Sequence, residues 1–438
     1  MDTSKKPKYI EIFLSIKEKI DNGEYKDNDK LPSKRDLAMN LNVSLNTIIN
    51  AYSLLLDEGY IYSKEKRGYF VSAQPLVLAK PSNKPIVPHT LINYPYDFTS
   101  KNVDLYPNTS FKKAIREVLA SNSYLDREGI LGSKSLRIEI SNHLKANRGI
   151  DVNCDNIIIG SGIEMLEGIL RIINIDNITL ENPGYHRLEG IGMAVGKKIN
   201  YQELDKNGVS VPSHKSILYT TPFNQFPTGI KMSISRKKEI ISYLNKTDSY
   251  LIEDDFDAEF RINQSPTTAI YSLDNERVIF FSTFSATMFP GLRIAYTILP
   301  NSLMSKYKKE YHGYTATPSS LMTEALALFI REGAYASFVN KRKKLYLEKR
   351  ALIIKSLKDN SISFNEKANY LSVLIDIKRN ADDALVNKFK ENGINIEALR
   401  TYDILNRPSS ILILAYTAIP LNKINEGISL IKKIIGGN

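Results

Sequence analysis

Three stretches of this 438-residue chain carry residue types that suit the binding of charged groups. Residues 161–164, Ser-Gly-Ile-Glu, follow an apolar run and open a helical stretch, where backbone N–H groups suit a phosphate. Residues 253–257 place four carboxylates around one aromatic side chain, which favours a cationic partner because such a cluster is costly at a strand end. Residues 282–293 carry several hydroxyls and one arginine that could hold a phosphate.

Each stretch also has a simpler interpretation. A glycine at a strand-to-helix turn commonly serves the backbone geometry alone. The acidic run could be a solvated loop, and the hydroxyl-rich run could be a polar loop that caps its strand. Taken singly, the three stretches do not decide between these alternatives.

The elements that would position these stretches follow from the hydrophobic pattern of residues 93–438. Apolar runs of strand type alternate with helical stretches, and the runs cover residues 156–159, 177–180, 216–219, 250–252 and 278–281. This alternation predicts an α/β domain with a mostly parallel sheet that helices cover on both faces. Ligands bind such sheets at the carboxyl ends of the strands, which is where the three polar stretches lie.

The first 74 residues predict a separate DNA-binding domain of the winged helix-turn-helix type. The pattern predicts helices over 8–21, 33–41 and 44–58, followed by strands over 60–63 and 69–72 around a basic tip. Ser33 and Asp36 have the spacing of a capping box, and Leu37 and Leu41 are expected to face inward. Ser44 is expected to cap the third helix, and Gly59 is expected to end it.

Eight residues of this domain are expected to contact DNA, namely Lys34, Arg35, Ser44, Asn46, Thr47, Lys64, Lys66 and Arg67. The first two begin the second helix, where backbone phosphates would lie, and the next three form the first turn of the third helix, which would enter the major groove. The last three lie on the wing, where they could neutralise phosphates or contact the minor groove. A small helical dimerisation unit with a solvated, lysine-rich turn is the alternative.

Composition limits the remaining choices. A single cysteine, Cys154, excludes a disulfide framework, and five scattered histidines without an H-x-x-x-H pair argue against a zinc site. No apolar run approaches the roughly 18 residues needed to cross a bilayer, and the first ten residues lack the apolar core of a signal peptide. The sequence therefore predicts a cytoplasmic protein with neither a metal nor a membrane partner.

Charge and proline content bear on how the parts connect. Residues 75–92 hold four prolines without periodicity, which predicts an extended linker between the DNA-binding domain and the domain over 93–438. The net charge is +11, which permits a polyanionic partner, although only +1 of it falls within residues 1–74. The basic stretch 341–350 is expected to be a helix with a solvated face, or a docking surface for DNA or the linker.

Several ordered motifs resemble known families. The sequence from Gly23 to Ile61, which begins GEYKDNDKLPSKRDLAMNLNVSLNTII, resembles the N-terminal domain of GntR-type bacterial regulators. The later motifs resemble the aminotransferase fold that binds pyridoxal phosphate (fold type I), and they are Asp104-Leu105-Tyr106-Pro107, Arg148-Gly149, Glu181-Asn182-Pro183-Gly184-Tyr185, Gln225-Phe226-Pro227-Thr228-Gly229, Glu253-Asp254-Asp255 and Pro290-Gly291-Leu292-Arg293. The whole arrangement resembles the MocR subfamily of transcription regulators over essentially the full chain.

The resemblance implies a role for individual residues. The amides of Gly162 and Ile163, the hydroxyl of Thr283 and Arg293 would bind the cofactor phosphate. Tyr185 would stack on the pyridine ring, and Asp254 would pair with the protonated ring nitrogen and keep the ring an electron sink. The resemblance also implies a homodimer, a double-stranded DNA operator and a small-molecule effector that biases the placement of the DNA-binding heads.

Three residues depart from the family pattern. Ala286 stands where the family has the lysine that forms the Schiff base, and alanine has no amine. Phe256 stands where a tyrosine usually reaches the cofactor's 3′-oxygen, and Ile413 stands where an arginine usually holds the substrate carboxylate. Arg400 or Arg407 could substitute for that arginine.

Two explanations of Ala286 remain open. The chain could be an aminotransferase whose lysine was removed by engineering, or its pocket could have diverged from aldehyde chemistry. Phe256 and Ile413 favour divergence. Either way the sequence predicts no working transaminase, and pyridoxal phosphate would bind noncovalently if it binds at all.

Overall fold

The computed structural model of the protein describes residues 7–72, 94–99, 105–260, 268–365 and 371–436. The chain divides into two compact units, residues 1–91 and residues 92–438. The predicted linker over 75–92 lies outside the described residues, as does Asp104 of the first aminotransferase motif.

The first unit contains three helices and a two-stranded antiparallel sheet. Its elements are α1 (Lys8–Asp21), α2 (Lys34–Asn40), α3 (Leu45–Asp57), β1 (Ile61–Lys64) and β2 (Gly68–Val71). Ser33 and Ser44 accept the backbone N–H groups that begin α2 and α3, as predicted, because a hydroxyl at the N-cap satisfies a donor that the helix leaves unpaired. Gly59 adopts φ +73° directly after α3 and ends that helix, as predicted.

The core of this unit lies between α1 and α3. Phe13 and Ile16 of α1 pack with Ile48 and Tyr52 of α3 in one buried cluster. The prediction that Leu41 faces inward is wrong, because its side chain is 45% exposed. Leu41 follows the last residue of α2, so it no longer lies on the buried stripe of that helix.

The second unit is larger and contains α and β elements in alternation. Its helices are α4 (Asn108–Ser121), α5 (Lys134–Arg148), α6 (Leu166–Ile172), α7 (Arg187–Ala194), α8 (Ile234–Thr247), α9 (Phe284–Thr287), α10 (Asn301–Glu310), α11 (Ser320–Arg331), α12 (Ala334–Asp359), α13 (Asp383–Glu391) and α14 (Ile424–Gly436). Its strands are β3 (Tyr96–Asp97), β4 (Ile157–Gly160), β5 (Asn177–Asn182), β6 (Lys198–Asp205), β7 (Gly208–Val209), β8 (Ile217–Thr220), β9 (Tyr250–Asp254), β10 (Val278–Thr283), β11 (Ala295–Ile298), β12 (Ser363–Asn365), β13 (Ser372–Asp376), β14 (Ile394–Asn395), β15 (Glu397–Ala398) and β16 (Ile411–Ala415).

The main sheet of this unit has eight strands in the order β4-β11-β10-β9-β8-β5-β6-β7. Neighbouring strands from β10 to β6 run parallel, and β11 is antiparallel to both of its neighbours, β10 and β4. The five apolar runs of the sequence lie in β4, β5, β8, β9 and β10, which confirms the prediction of a mostly parallel sheet.

Both faces of the main sheet are buried. Leu251 of β9 packs in one apolar cluster and its neighbour Ile252 packs in another, because successive side chains of a strand point to opposite faces. A smaller antiparallel sheet has the strand order β12-β13-β16-β15, and the short strands β14 and β3 pair in parallel. Within the described part of the chain, no helix is both long and apolar enough to cross a membrane.

Candidate ligand site and nucleic-acid interface

A cavity of about 450 Å³ lies where the carboxyl ends of β4, β9 and β10 meet. All eight positions that the family resemblance places around the cofactor line it, including the two departures Phe256 and Ala286; the other six are Gly162, Ile163, Tyr185, Asp254, Thr283 and Arg293. The fold therefore brings together positions that the sequence placed in four separate segments, although their binding roles stay predictions.

Asp254 is the last residue of β9 and is only 5% exposed. Its Oδ2 accepts a hydrogen bond from the hydroxyl of Tyr219 on β8, whereas its buried Oδ1 has no hydrogen-bond partner among the described residues. Burial raises the pKa of Asp254 to about 7, although the Tyr219 hydrogen bond opposes that shift. A buried carboxylate oxygen without a hydrogen-bond partner suits a ligand group that donates a hydrogen bond or carries positive charge.

The other carboxylates of the run 253–257 are also buried, so the alternative of a solvated acidic loop is wrong. Glu253 accepts two backbone N–H groups at 3.0 and 2.8 Å, and Asp257 accepts a side-chain amide at 3.0 Å. Arg148 forms a buried ion pair with Asp255, with 2.8 Å between Nη2 and Oδ1. Arg148 is therefore one cationic partner of the acidic run 253–257, and it belongs to the protein itself.

The opposite end of the cavity carries positive charge. Gly162 follows β4 with φ +66°, a conformation that favours glycine. Arg293 precedes β11, and its Nη2 lies 2.5 Å from Oε2 of Glu164. A Cβ on residue 162 would lie 2.6 Å from the same Arg293 nitrogen, so a larger residue would require this guanidinium to shift.

Two hydroxyls at the carboxyl end of β10, those of Thr283 and Ser285, differ in their availability. The hydroxyl of Thr283 lies 3.3 Å from a backbone carbonyl that accepts from it, and it accepts the N–H of Ser285 at 3.1 Å. Ser285 also lines the cavity, and its buried Oγ has no hydrogen-bond partner among the described residues. Ser285 is thus the hydroxyl that is free to contact a polar ligand, whereas Thr283 was the one predicted.

Aromatic side chains form one side of the cavity. The ring of Phe226 lies edge-on to Tyr185 at 6.0 Å between centroids and to Tyr402 at 4.7 Å. Phe256 and Ala286 complete this lining with groups that offer neither a phenol nor an amine. The cavity therefore combines an aromatic wall with polar groups at two ends.

The two arginines considered as substitutes for the substrate-binding arginine are engaged elsewhere. Arg400 pairs with Asp383 at 3.0 Å, and Arg407 pairs with Glu203 and Asp403. Neither is among the described residues that line the cavity. Ile413 is buried in β16, so the apolar pattern around it serves the smaller sheet.

Sequence reasoning missed several residues of the site. Tyr219, Arg187, Phe226 and Tyr402 contact Asp254 or line the cavity. A signal existed for Phe226, which lies in a quoted motif, and for Arg187, which follows Tyr185 by two positions. Nothing in the local pattern marks Tyr402, because it reaches the cavity from the part of the chain between β15 and β16.

The basic stretch 341–350 lies in α12, and the prediction of a solvated face is only partly correct. Arg342, Lys349 and Arg350 are buried, whereas Lys341 and Lys344 are exposed. Lys349 donates to a backbone carbonyl at 3.0 Å. The buried cations cannot serve as a DNA-docking surface, because their charged groups point into the protein.

Arg342 connects α12 to the segment that carries Ala286. It is only 1% exposed, and its Nη1 lies 3.2, 2.6 and 3.3 Å from the backbone carbonyls of Ala286, Thr287 and Met288. Three carbonyls that no helix satisfies thus share one buried donor group. Arg342 therefore fixes the position of the cavity wall at Ala286.

We expect Arg342→Met to lower the free energy of unfolding by about 3 kcal/mol, because three buried carbonyls lose a charged donor. Urea unfolding of the full chain measures this effect, and hydrogen exchange should show faster opening of residues 284–288. Lys341→Met is the matched control on the same helix, and its effect should stay within about 0.5 kcal/mol. Equal effects of the two substitutions would show that the carbonyl contacts carry no stability.

The predicted DNA contacts of the first unit differ in their availability. The hydroxyls of Ser44 and Thr47 lie 2.8 Å apart, and Ser44 also accepts the N–H of Thr47, so both serve the cap of α3. Asn46, in the same turn, is exposed. It is therefore the member of this turn with a free side chain for reading a base.

The basic residues of the first unit fall into two groups. Lys34 and Lys64 lie over aromatic rings, with their Nζ atoms 4.7 Å from the Tyr69 centroid and 4.8 Å from the Phe70 centroid. Arg35, Lys66 and Arg67 are exposed, and the last two lie at the tip between β1 and β2. The exposed group is the one that could reach phosphates without breaking a contact.

The two units match two known families. The family model described as bacterial regulatory proteins, gntR family, matches residues 8–71, and the model for aminotransferase class I and II matches residues 94–428. An archaeal alanine:glyoxylate aminotransferase superposes with a TM-score of 0.69 at 21% identity, over 78% of this chain and 90% of that chain. A multiple substrate aminotransferase from Thermococcus profundus superposes with a TM-score of 0.69 at 19% identity, over 83% of this chain and 96% of that chain. These structures show the fold alone.

Relatives over nearly the full length are regulators. The protein named as the uncharacterized HTH-type transcriptional regulator YdeL of Bacillus subtilis is 31% identical over 97% of this chain and 96% of its own length. The probable rhizopine catabolism regulatory protein MocR of Rhizobium meliloti is 26% identical over 97% of this chain and 93% of its own length. The pyridoxine biosynthesis transcriptional regulator PdxR of Corynebacterium glutamicum is 27% identical over 90% and 88%.

A GntR-type head joined to an aminotransferase-like domain defines a class of helix-turn-helix regulators that bind DNA operators. The chain belongs to the MocR subfamily of these GntR-type transcription regulators.

Proposed function

We propose that this protein is a DNA-binding transcription regulator whose aminotransferase-like domain binds its effector noncovalently and does not catalyse transamination. The observation that carries the proposal is the presence of Ala286 in the lining of a cavity that otherwise keeps its polar groups. Alanine cannot form the covalent link on which aminotransferases depend.

The cavity fits pyridoxal phosphate as a noncovalent ligand. Oδ1 of Asp254 would accept a protonated ring nitrogen, and Arg293 with the free hydroxyl of Ser285 would hold the phosphate. Tyr185 would face the ring from the aromatic wall. When bound, this cofactor supplies an electron sink, and the protein residues would bind and orient it.

Two further residues support binding without turnover. Phe256 lines the cavity without a phenol that could hold the 3′-oxygen of the cofactor. Ile413 is buried in β16, and neither Arg400 nor Arg407 lines the cavity, so none of these three residues is placed to hold a substrate carboxylate. A cavity with this lining suits recognition of a ligand better than chemistry on it.

For DNA recognition, the exposed residues of the first unit support the proposal. Asn46 can pair bidentately with adenine in the major groove, and Arg35, Lys66 and Arg67 can neutralise phosphates. As the family resemblance implies, the protein would act as a homodimer that presents two such heads to two half-sites. Ligand binding in the larger domain would shift the placement of the heads.

The DNA-binding part is tested with the full-length protein and an operator selected from fragments upstream of its own and neighbouring genes. Asn46→Ala is expected to weaken binding to the selected site by about 1–3 kcal/mol and to leave non-specific DNA binding unchanged. The pair Lys66→Ala and Arg67→Ala is expected to weaken binding to both kinds of DNA. It should also lower the slope of log K against log salt by about 2, because each lost phosphate contact contributes about 0.9.

Lys308→Ala with Lys309→Ala is the matched control, since it removes two exposed cations from α10 of the other unit. The control should keep the salt slope of the unaltered protein. Binding that shows neither sequence preference nor salt dependence would contradict the DNA-binding proposal.

A further inference from the structure

Two arginines of the cavity lining already pair with a carboxylate of the chain. The carboxylate of Glu164 bridges two guanidinium groups, with Oε1 2.6 Å from Nη2 of Arg187 and Oε2 2.5 Å from Nη2 of Arg293. Both arginines line the cavity. The two charged pairs connect the start of α7 and the segment before β11 through one side chain.

This ion pair lies directly against the glycine that the family resemblance assigns to phosphate binding. A Cβ on Gly162 would lie 2.6 Å from Nη2 of Arg293 and 2.8 Å from Oε2 of Glu164. The carboxylate therefore lies close to the backbone that the family resemblance assigns to phosphate binding. A carboxylate and a phosphate monoester use the same bidentate geometry on arginine, so the two compete for one pair of cations.

We propose that Glu164 is a resident anion of the phosphate subsite, and that a phosphorylated ligand binds by taking Arg187 and Arg293 from it. Arg187 is then a ligand-binding residue, although no family motif assigns it that role. The inference rests on the proposed sensor function and adds to it a carboxylate of the chain that competes with the ligand phosphate for two arginines.

The exposure of the three side chains makes the exchange feasible. Glu164, Arg187 and Arg293 are each about half exposed, so the carboxylate can swing into solvent without leaving a buried charge. Pairs of this kind are weak in water, and a dianionic phosphate outcompetes a single carboxylate for two guanidinium groups. Glu164 would thus weaken ligand binding without preventing it, as a reversible sensor requires.

The test is calorimetry on the full-length protein with pyridoxamine 5′-phosphate, which carries the phosphate but no aldehyde that could react with lysines. Glu164→Gln is expected to bind this probe about tenfold more tightly than the unaltered protein, because the competing charge is gone. Its affinity for pyridoxamine, which lacks the phosphate, should not change. Arg187→Met is expected to weaken binding of the phosphorylated probe only.

Glu167→Gln is the matched control, because Glu167 lies one turn away and pairs with Arg171 on the exposed face of α6. It should leave both affinities unchanged. The inference is overturned if Glu164→Gln binds the phosphorylated probe no better than the unaltered protein, if it gains equally for both probes, or if neither protein binds it. DNA binding is measured on the same samples. Intact DNA binding would show that only the proposed role of Glu164 has failed, whereas absent DNA binding would contradict the proposed regulatory function.

Discussion

An Ala286→Lys variant is expected to form a covalent adduct with pyridoxal phosphate at residue 286, whereas the unaltered protein forms none at any cavity residue. Ala286 lines the cavity that also contains Asp254 and Arg293, so a lysine side chain there would place a primary amine beside the bound aldehyde. Burial in the cavity would favour its neutral, nucleophilic form. Borohydride reduction followed by mass spectrometry of peptides measures the adduct as present or absent.

Ala286→Met serves as the control, since methionine has similar length without an amine. A reducible adduct in the cavity of the unaltered protein would contradict the noncovalent binding that we propose. The lysine variant is still expected to lack measurable transaminase turnover, because Phe256 cannot hold the 3′-oxygen and Ile413 cannot bind a substrate carboxylate. Restored turnover would show that Ala286 alone separates this protein from an aminotransferase.

Asp254→Asn is expected to remove a large pH dependence from the free energy of unfolding. An aspartate in the unfolded chain has a pKa near 4, whereas burial raises the pKa of Asp254 to about 7 in the folded protein. Between these values the folded chain keeps a proton that the unfolded chain has lost. Stability therefore falls as the pH rises from about 4 to about 7, by up to about 4 kcal/mol from this group, and then levels off.

Urea unfolding of the ligand-free protein between pH 5 and pH 8 measures this dependence. The free energy of unfolding of the Asp254→Asn variant should exceed that of the unaltered protein at pH 8. This difference should shrink as the pH is lowered. Asp248→Asn is the control, because Lys215 and Arg277 lower the pKa of the exposed Asp248, which places its effect at acidic pH. Parallel pH profiles for the unaltered protein and Asp254→Asn would show that Asp254 is ionised in the folded state.

The same substitution connects stability to ligand binding. Asparagine cannot offer a negative charge to a protonated ring nitrogen, so we expect pyridoxal phosphate to bind Asp254→Asn more weakly, on the order of tenfold. The ionised form of Asp254, which burial disfavours in the ligand-free protein, would then be the form that the ligand stabilises. Ligand binding should accordingly stabilise the unaltered protein more than the variant.

Local sequence signals were sufficient for several elements of the fold. The caps at Ser33 and Ser44 and the stop at Gly59 depend on neighbours within a few residues, so they could be predicted without tertiary contacts. The apolar runs predicted the parallel strands for the same reason, since burial on both faces requires continuous apolar sequence. The antiparallel strand β11 was not predicted, because its direction depends on strands far away in the chain.

The candidate site was predictable only in outline. Motifs and their order placed eight residues at strand ends, and these residues do line one cavity. Which of them are free for a ligand depends on contacts between distant segments. Tyr219 occupies one oxygen of Asp254, and the hydroxyl of Thr283 is engaged, while that of Ser285 is free.

By itself, the sequence determined the two-part organisation, the strand ends that form the site and the absence of an amine at residue 286, because these properties reside in residue identity and local spacing. Tertiary structure decided which charged side chains are buried and which partners they pair with. It buries Arg342 against the backbone at Ala286 and places Glu164 between Arg187 and Arg293. Long-range packing sets burial and pairing, and those two quantities determine whether a charged side chain stabilises the fold or binds a ligand.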